Sequence, residues 1–301
     1  MNVSPPLSDA ARIDPTRARS LPASAPEPWP LDIVEATGST NADLAAHLKT
    51  LPRTRNALPR PIVRVAYEQT AGRGRQGRPW FAQPGNALLC SVGCVLPRPV
   101  DALAGLSLAV GVALAEGLAA LPLARGQRVR LKWPNDLLLV DGDLPAGKLG
   151  GILVETVWNT ADASALVIGF GINVRGAEAV AAEVAALRER NAALAGALPP
   201  AALSSACASA NLTDTLAAVL DPLATALERF ATGGLAPFAP RWAALHAHAG
   251  REVVLLEQGR EVARGVAAGI DDSGQLLLDT ADGRRAIAAG DVSLRETGSA
   301  P

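Results

Sequence analysis

Residues 69–80 read Gln69-Thr70-Ala71-Gly72-Arg73-Gly74-Arg75-Gln76-Gly77-Arg78-Pro79-Trp80, a segment with three glycines and three arginines. Glycines let backbone N–H groups approach a ligand closely, and guanidinium groups are fixed donors for phosphate or carboxylate. The spacing also matches the dinucleotide fingerprint G-x-G-x-x-G, but that fingerprint opens a helix, and here a proline and another strand follow. We therefore predict an anion-binding loop that orders around its ligand, with an exposed basic turn as the alternative.

Strand and helix patterns surround this loop on both sides. Runs rich in β-branched and apolar residues, bounded by Gly and Pro, predict strands at 61–68, 86–96, 128–140, 147–157 and 165–174. Apolar residues at helical spacing and Ala-rich tracts predict helices at 42–49, 101–121, 178–198 and 201–230, with Ser39 or Thr40 capping the first. The predicted fold class is α+β, with a central mixed β-sheet flanked by helices.

The sequence changes in character near residue 250. Short strands alternate there with turn-forming residues, a pattern typical of a small β-barrel. At the other end, the residues before Trp29 are rich in Pro, Ser and Ala and show no periodicity. We therefore predict a disordered tail over 1–28, a large globular domain over 29–249 and a small barrel over 250–297.

A second loop imitates a phosphate-binding motif. Residues 142–148 spell G-x-x-x-x-G-K, the start of a P-loop. A P-loop continues with Ser or Thr and then a helix, whereas Leu149 and a predicted strand follow here. We reject the P-loop, but Lys148 stands just before a strand, where its side chain would point into a cleft.

The string Lys132-Trp133-Pro134-Asn135-Asp136 interrupts another strand. It presents a cation, an indole, an amide and a carboxylate together. Trp offers a face for stacking a base, Asn offers hydrogen-bonding groups, and Asp is a hard-oxygen ligand suited to Mg²⁺. The alternative is a turn with structural Asn and Asp.

The last polar signal lies at the end of a predicted strand, in Gly169-Phe170-Gly171-Ile172-Asn173-Val174. The glycines permit close backbone approach, and Asn173 is polar within an apolar run. A structural asparagine with satisfied hydrogen bonds is the alternative.

Composition excludes several classes of protein. With 49% hydrophobic and 19% charged residues and a net charge of −1, wholesale disorder is excluded and neither nucleic acid nor an anionic membrane is indicated. The apolar stretch 102–115 is too short to span a bilayer, and the N-terminus lacks the apolar core of a signal peptide. Three cysteines give no disulfide framework, so we expect a cytoplasmic protein. Three histidines show no spacing typical of a zinc site.

In this order and spacing, the strings resemble those of biotin protein ligases, over roughly residues 31–296. The matching segments are Ser39-Thr40-Asn41, Gln69 with 72–78, 132–136, 148–155 and 171–173. The Ala-rich stretch at 176–212 is longer than the family pattern. A winged-helix domain does not fit ahead of residue 30, so the resemblance is to the monofunctional type without a DNA-binding domain.

The resemblance implies a biotin–lipoate ligase catalytic domain, similar to class II synthetases, followed by an SH3-like barrel. It implies that biotin and MgATP form biotinyl-5′-AMP, whose biotinyl group passes to a lysine of a biotin carboxyl carrier protein. Biotin would contact Ser39, Thr40, Asn41, Gln69, Arg73, Gly74, Arg75 and Lys148. ATP would contact Arg78, Trp80, Lys132, Trp133, Asn135 and Asn173, with Asp136 near Mg²⁺. The catalytic residues would be Lys148 and Arg75.

Other functions remain open on sequence alone. A lipoate or octanoate ligase shares the fold, a biotin-responsive repressor would need a DNA-binding domain, and a non-catalytic binding module would not need every site residue in place. A homodimer through the catalytic-domain sheet is also open. Only three of the 28 basic residues are lysines, namely Lys49, Lys132 and Lys148. Two of them fall in the implied adenylate site, which indicates that this site requires the compact ammonium group.

Overall fold

The computed structural model describes residues 7, 11–142, 144–190, 198–257, 260–288 and 292–296. Within them, a mixed seven-stranded sheet has the order β1-β2-β3-β7-β6-β5-β4, with β1 and β2 parallel and the other neighbours antiparallel. Its strands are β1 (Leu31–Thr37), β2 (Ile62–Gln69), β3 (Ala87–Leu96), β4 (Gln127–Lys132), β5 (Asp136–Asp141), β6 (Leu144–Asn159) and β7 (Ser164–Asn173). The predicted mixed sheet is confirmed.

Helices cover both faces of this sheet. They are α1 (Pro15–Ala18), α2 (Thr40–Thr50), α3 (Leu106–Ala119), α4 (Ala177–Arg190), α5 (Leu212–Gly233) and α6 (Ala239–Leu245). On one face α3 packs against α5 so closely that a Cβ at Gly117 would lie 1.9 Å from the Ala218 carbonyl oxygen. On the other face α2 buries Leu44 and Leu48 with Trp158. Because both faces are covered, the central strands β3 and β7 are almost wholly buried.

The predicted helix 101–121 is shorter in the structure. Residues Val100–Leu103 form a 3-10 turn, and α3 begins after Gly105, which has φ +79°. Among the described residues, only Val100–Ala119 is long and apolar enough to cross a membrane, with a mean hydropathy of 1.8, but 61% of it is buried inside the protein. Most of this segment is therefore packed into the core of the protein.

The segment 128–140 was predicted as one strand, and this prediction is wrong. The chain forms a hairpin of β4 and β5 that turns at Trp133 and Pro134, so that Lys132 faces Asp136 across the turn. Proline lacks the N–H that a continuing strand would donate to the sheet. The hairpin thus brings two charged side chains together.

The N-terminal segment also differs from the prediction of a disordered tail, at least from residue 11 onward. Asp14 caps the short helix α1, and the Ile13 N–H donates to Tyr67 Oη at 3.0 Å. The side chains of Ile13, Leu21 and Trp29 are buried in the main core. These apolar residues are too widely spaced to produce a periodic pattern, and the contacts that order them are tertiary. Most of residues 1–10 lie outside the described residues.

The Ala-rich region holds helices α4 and α5, but their limits differ from those predicted. Residues 191–197 lie outside the described residues. The second helix begins at Leu212 rather than at 201, because the Asn211 side chain accepts from the Asp214 N–H at 2.9 Å and caps it there.

A separate antiparallel sheet follows residue 250. Its order is β11-β10-β9-β8-β12. The strands are β8 (Glu252–Glu257), β9 (Arg260–Ile270), β10 (Leu276–Thr280), β11 (Gly283–Ile287) and β12 (Val292–Glu296). The predicted short strands are therefore present, while the SH3-like barrel and the domain limits 29–249 and 250–297 stay predictions.

Two histidines lie buried where the main sheet meets this second sheet. His246 stacks on Trp242 with ring centroids 4.4 Å apart, and neither of its ring nitrogens has a hydrogen-bond partner among the described residues. Burial lowers the pKa of His246 to about 3 and that of His248 to about 4, and the positive charges of Lys132 and Arg251 further lower the pKa of His248. Both rings are therefore neutral in the folded protein near pH 7.

We expect acid to destabilise the fold through these rings. Below the unfolded pKa of about 6.5 only the unfolded chain takes up the protons, so stability falls as the pH drops from 6.5 toward 4, by about 2 kcal/mol per histidine at pH 5. Urea unfolding at pH 7.5 and pH 5 measures this loss. His246→Phe should remove about half of it and His47→Gln, at an exposed site, none. An equal loss in wild type and His246→Phe would contradict the assignment.

Candidate active site

A cavity of about 540 Å³ opens above β6 and β7, beside the N-terminus of α2. It is covered on one side by residues 69–80, which we call the arginine loop. Every residue predicted for the site borders this cavity: Ser39, Thr40, Asn41, Gln69, Arg73, Gly74, Arg75, Arg78, Trp80, Lys132, Trp133, Asn135, Asp136, Lys148 and Asn173. The sequence motifs therefore converge on one place in the fold.

One end of the cavity, which we call the uncharged end, is lined by neutral hydroxyl and amide groups, and the two opposite charges near it, Arg73 and Glu155, form an ion pair. Ser39 is the N-cap of α2, and the first residue of that helix, Thr40, donates its N–H to Gln69 Oε1 at 2.7 Å. The Thr40 hydroxyl lies 3.1 Å from the same oxygen. The N-terminus of a helix leaves backbone donors unpaired, and the Gln69 amide oxygen satisfies one of them. The result is an ordered cluster of hydroxyl and amide groups.

Asn41 borders the cavity, but protein groups engage both ends of its amide. Its Oδ1 accepts from Ser91 Oγ at 2.6 Å, and its Nδ2 donates to Glu155 Oε2 at 2.7 Å. The backbone of Gly169 approaches so closely that a Cβ there would lie 2.1 Å from Asn41 Oδ1. Asn41 therefore positions the cavity wall. Sequence reasoning missed Ser91 and Glu155, although a serine inside a buried strand was a visible signal.

The arginine loop folds back on itself. The Gly74 N–H donates to the Arg78 carbonyl at 2.7 Å, and the Trp80 N–H donates to the Gly72 carbonyl at 2.9 Å. At its tip Gln76 has φ 59° and Gly77 has φ 68°. This hairpin-like shape explains why the segment does not open a helix, as the dinucleotide fingerprint requires.

Two arginines of the loop reach opposite sides of the cavity. Arg73 Nη2 lies 3.3 Å from Glu155 Oε2, near the uncharged end. Arg75 Nη1 donates to Asn135 Oδ1 at 3.5 Å, near the hairpin of β4 and β5. The loop is thereby joined to both ends of the cavity.

The second end of the cavity is dominated by positive charge. Asp136 has a side chain that is 16% exposed, with Lys148 Nζ 2.7 Å from one carboxylate oxygen and Lys132 Nζ 3.9 Å from the other. Burial alone raises the pKa of Asp136, but the two lysines, Lys148 foremost, outweigh it and hold this pKa below its ordinary value. With Arg75 adjacent, cations outnumber the single carboxylate, and this end suits an anionic ligand.

The sequence analysis places the Mg²⁺ of the ATP complex near Asp136, a carboxylate that the structure holds between two cations. Both of its oxygens face ammonium groups. Within the part of the chain that the structure describes, no cluster of three or more His, Cys, Asp or Glu side chains is placed to hold a metal. A Mg²⁺ ion bound directly to Asp136 would have to displace the two lysines, and the placement of Mg²⁺ near Asp136 stays a prediction.

Trp80 and Asn173 form part of the cavity wall, and each carries a buried polar atom with open hydrogen-bonding capacity. The Trp80 ring lies against Gly171, where a Cβ would be 2.5 Å from the indole. Trp80 Nε1 and Asn173 Oδ1 are both buried, and neither has a hydrogen-bond partner within the described part of the chain. Because buried polar atoms are nearly always paired, these two indicate groups that a ligand completes.

Trp133, which was expected to offer a face for stacking a base, makes a contact that the sequence did not indicate. The residue borders the cavity, but its side chain is almost fully buried and its Nε1–H donates to the Gly274 carbonyl at 3.0 Å. Gly274 belongs to the turn between β9 and β10, so this indole connects the cavity wall to the C-terminal sheet.

Comparison with known families identifies two matching segments. The Biotin/lipoate A/B protein ligase family matches residues 43–173, and the Biotin protein ligase C terminal domain matches residues 248–295. The biotin–(acetyl-CoA-carboxylase) ligase of Paracoccus denitrificans is 35% identical over 265 residues, which cover 85% of this chain and 97% of the relative. That of Mycobacterium tuberculosis is 35% identical over 87% of this chain and 88% of the relative.

A longer relative and a solved structure that resemble this chain are also ligases. The bifunctional ligase/repressor BirA of Escherichia coli is 38% identical over 77% of this chain, and the match spans 65% of that relative, slightly less than two thirds. A biotin protein ligase from Aquifex aeolicus, solved with biotin and ATP, superposes with a TM-score of 0.63 at 24% identity, over 89% of this chain and 99% of that one. The latter similarity shows a shared fold.

The close approach at Gly169 yields a test of the Asn41 network. We expect Gly169→Ala to destabilise the protein by about 2 kcal/mol or more, because the added methyl displaces a buried, fully bonded amide. Gly38→Ala is the matched control, since a Cβ at Gly38 meets nothing within 4 Å. Urea unfolding compares the two. A Gly169→Ala protein as stable as Gly38→Ala would contradict the network.

Proposed function

This chain belongs to the biotin protein ligase family. From this premise we propose that its cavity activates biotin with ATP and transfers the biotinyl group to a carrier protein. Biotin and ATP form biotinyl-5′-AMP, and the biotinyl group passes to a lysine of a biotin carboxyl carrier domain of acetyl-CoA carboxylase or a related carboxylase. The observation that carries the proposal is the joining, in one cavity, of an uncharged polar end and a cationic end.

The uncharged end suits the ring system of biotin. The ureido group is neutral and needs hydroxyl and amide partners, which Ser39, Thr40 and Gln69 supply in a cavity with a mainly apolar wall. Asn41 holds this wall in place through Ser91 and Glu155. The biotin carboxylate would then extend toward Arg75 and Lys148.

The cationic end suits the first half-reaction. A carboxylate oxygen of biotin attacks the α-phosphorus of ATP, the new O–P bond forms, and the bond to pyrophosphate breaks. Two anions must meet, and the charges of Lys148 and Arg75 offset their repulsion and stabilise the negative charge that develops on the phosphate oxygens. Lys132 supports this end, and Asp136 keeps the two lysines close together.

The nucleotide would lie along the wall formed by Arg78, Trp80, Asn135 and Asn173. Trp80 Nε1 and Asn173 Oδ1 have no hydrogen-bond partner among the residues that the structure describes, and ATP or the adenylate can supply one to each. ATP would arrive as its Mg²⁺ complex, a substrate rather than a resident metal.

In the second half-reaction, the carrier lysine amine attacks the acyl carbonyl of the adenylate, AMP leaves, and the amine loses a proton. Until the carrier arrives, the mixed anhydride must be protected from hydrolysis. The arginine loop, joined to both cavity ends by Arg73 and Arg75, is placed to exclude water.

Other aspects of the proposal rest on broader features. A cytoplasmic location agrees with three free, buried cysteines, Cys90, Cys94 and Cys207. The near-neutral net charge of −1 gives no support to a nucleic-acid partner.

The direct test uses purified protein, MgATP and an apo carrier domain, with either biotin or lipoate. Mass spectrometry of the carrier reads the product. We expect the mass increase of one biotinyl group and none with lipoate. Lipoylation without biotinylation would replace the proposal with the lipoate ligase alternative, and binding of operator-like DNA in a gel shift would reopen the repressor alternative.

Lys148→Ala tests the cationic end. We expect at least about a 10²-fold loss of carrier biotinylation, because a charged contact to the reacting phosphate is removed. Lys49→Ala, at an exposed position on α2, is the control and should retain wild-type activity. Circular dichroism checks that both variants are folded. Near-normal activity of Lys148→Ala would contradict its role.

Lys148→Arg tests whether the site requires an ammonium group. The Lys148 Nζ fits 2.7 Å from a carboxylate that Lys132 shares, and a planar guanidinium is broader than this space. We expect adenylate formation, measured by biotin-dependent exchange of pyrophosphate into ATP, to fall about tenfold or more. A normal exchange rate would show that charge alone suffices.

A further inference from the structure

The indole of Trp133 makes a connection that its place among the ATP-site motifs does not explain. Trp133 is 1% exposed, and its Nε1–H donates to the carbonyl of Gly274 at 3.0 Å. These residues are 141 positions apart in the chain. The bond therefore joins the tip of the hairpin of β4 and β5 to a turn of the C-terminal sheet.

The C-terminal partner in this bond is held in a well-defined turn. Asp271 Oδ1 accepts from the Ser273 N–H at 2.9 Å and from the Gln275 N–H at 2.8 Å. The Gly274 N–H donates to the Asp271 carbonyl at 3.0 Å. A side chain that bonds its own backbone in this way restricts the turn, so the Gly274 carbonyl is presented in a fixed direction.

The turn is also wedged against the core of the main domain. Gly274 has φ +80°, and a Cβ there would lie 2.9 Å from Leu108 Cδ1 and 3.2 Å from Gly105 Cα. Both neighbours lie at the start of α3. Since α3 is buried in the core, its first residues support the turn, which therefore acts as a rigid anchor.

The other end of the connection leads directly into the cationic end of the cavity. Trp133 stands between Lys132, whose Nζ is 3.9 Å from Asp136, and Asn135, whose Oδ1 accepts from Arg75. A second contact with the linker to the C-terminal sheet lies two residues before Trp133, where the Ala247 N–H donates to the Leu131 carbonyl at 2.8 Å. Movement of the hairpin tip would displace the groups around Asp136.

We propose that Trp133 is a positioning residue through which the C-terminal sheet holds the hairpin of β4 and β5 in register for ATP. The inference rests on the proposed function, and it assigns the C-terminal sheet a part in nucleotide binding without any contact to the nucleotide. The uncharged end of the cavity is built from α2, β2 and β3, supported by β6 and β7, and includes neither Trp133 nor Gly274. Loss of this connection should therefore weaken ATP binding and leave biotin binding unchanged.

Trp133→Phe removes the indole N–H and keeps most of the aromatic volume. We expect the KM for ATP in biotin-dependent pyrophosphate exchange to rise about three- to tenfold, the size of one lost hydrogen bond. The Kd for biotin without ATP should change less than about twofold. Trp158→Phe is the matched control, because Trp158 is also buried and donates its Nε1–H to a backbone carbonyl, that of Leu48, at 3.1 Å. It should leave the KM for ATP unchanged.

Asp271→Ala tests the anchor from the other side, far from any ligand group. We expect it to raise the KM for ATP in the same direction, and the double variant Trp133→Phe/Asp271→Ala to be no worse than the more impaired single variant, because both changes break one connection. Additive effects would mean two separate roles and would overturn the inference, as would equal effects of Trp133→Phe and Trp158→Phe on ATP.

Hydrogen–deuterium exchange of residues 129–141 gives a readout that needs no activity. Faster exchange there in Trp133→Phe and Asp271→Ala, with wild-type exchange in Trp158→Phe, is the expected result, and unchanged exchange in all three overturns the inference. A wild-type protein that fails to exchange pyrophosphate with biotin present would contradict the proposed function instead. The two failures are therefore distinguishable.

Discussion

The buried carboxylate of Asp136 between two lysine ammonium groups is the interaction on which the site depends. Two cations in a half-enclosed cavity repel each other, and burial of Asp136 is costly unless its charge is paired. The carboxylate reduces the repulsion between the two ammonium groups, and they in turn pair its buried charge: Lys148 Nζ lies 2.7 Å and Lys132 Nζ 3.9 Å from the carboxylate. The geometry requires a hairpin that brings Lys132 opposite Asp136, and a neighbouring strand, β6, that carries Lys148 alongside.

Around this cluster, backbone atoms approach one another more closely than side chains permit. A Cβ at Gly150 would lie 2.6 Å from the Gly171 carbonyl oxygen, and one at Gly169 would collide with Asn41. Gly171 and Gly169, both on β7, leave the space that Trp80 and Asn41 respectively occupy against that strand. The uncharged and cationic ends thus share one wall, and the arginine loop spans both. A substrate with a neutral ring and a terminal carboxylate matches that division of charge.

Much of this arrangement was predictable from local patterns. Most of the strands, the N-cap at Ser39 and the loop 69–80 follow from residue type and spacing, and the residues expected to line the site follow from the resemblance to biotin protein ligases. The roles of single residues followed less well. Asn41 has the character of a ligand-binding amide, but Ser91 and Glu155, distant in sequence, engage both of its ends. Asp136 has the character of a metal ligand until Lys148 is brought beside it.

The sequence by itself determined the fold class, the family and the chemical groups available, because these depend on periodicity, turn residues and short motifs. The tertiary structure decided which of those groups face a substrate and which face one another. It turned 128–140 into a hairpin, ordered the segment after residue 11 against the core, and directed Trp133 to Gly274. The reason is physical: a polar side chain bonds to whatever partner folding brings within about 3 Å, and that partner has no fixed separation along the chain.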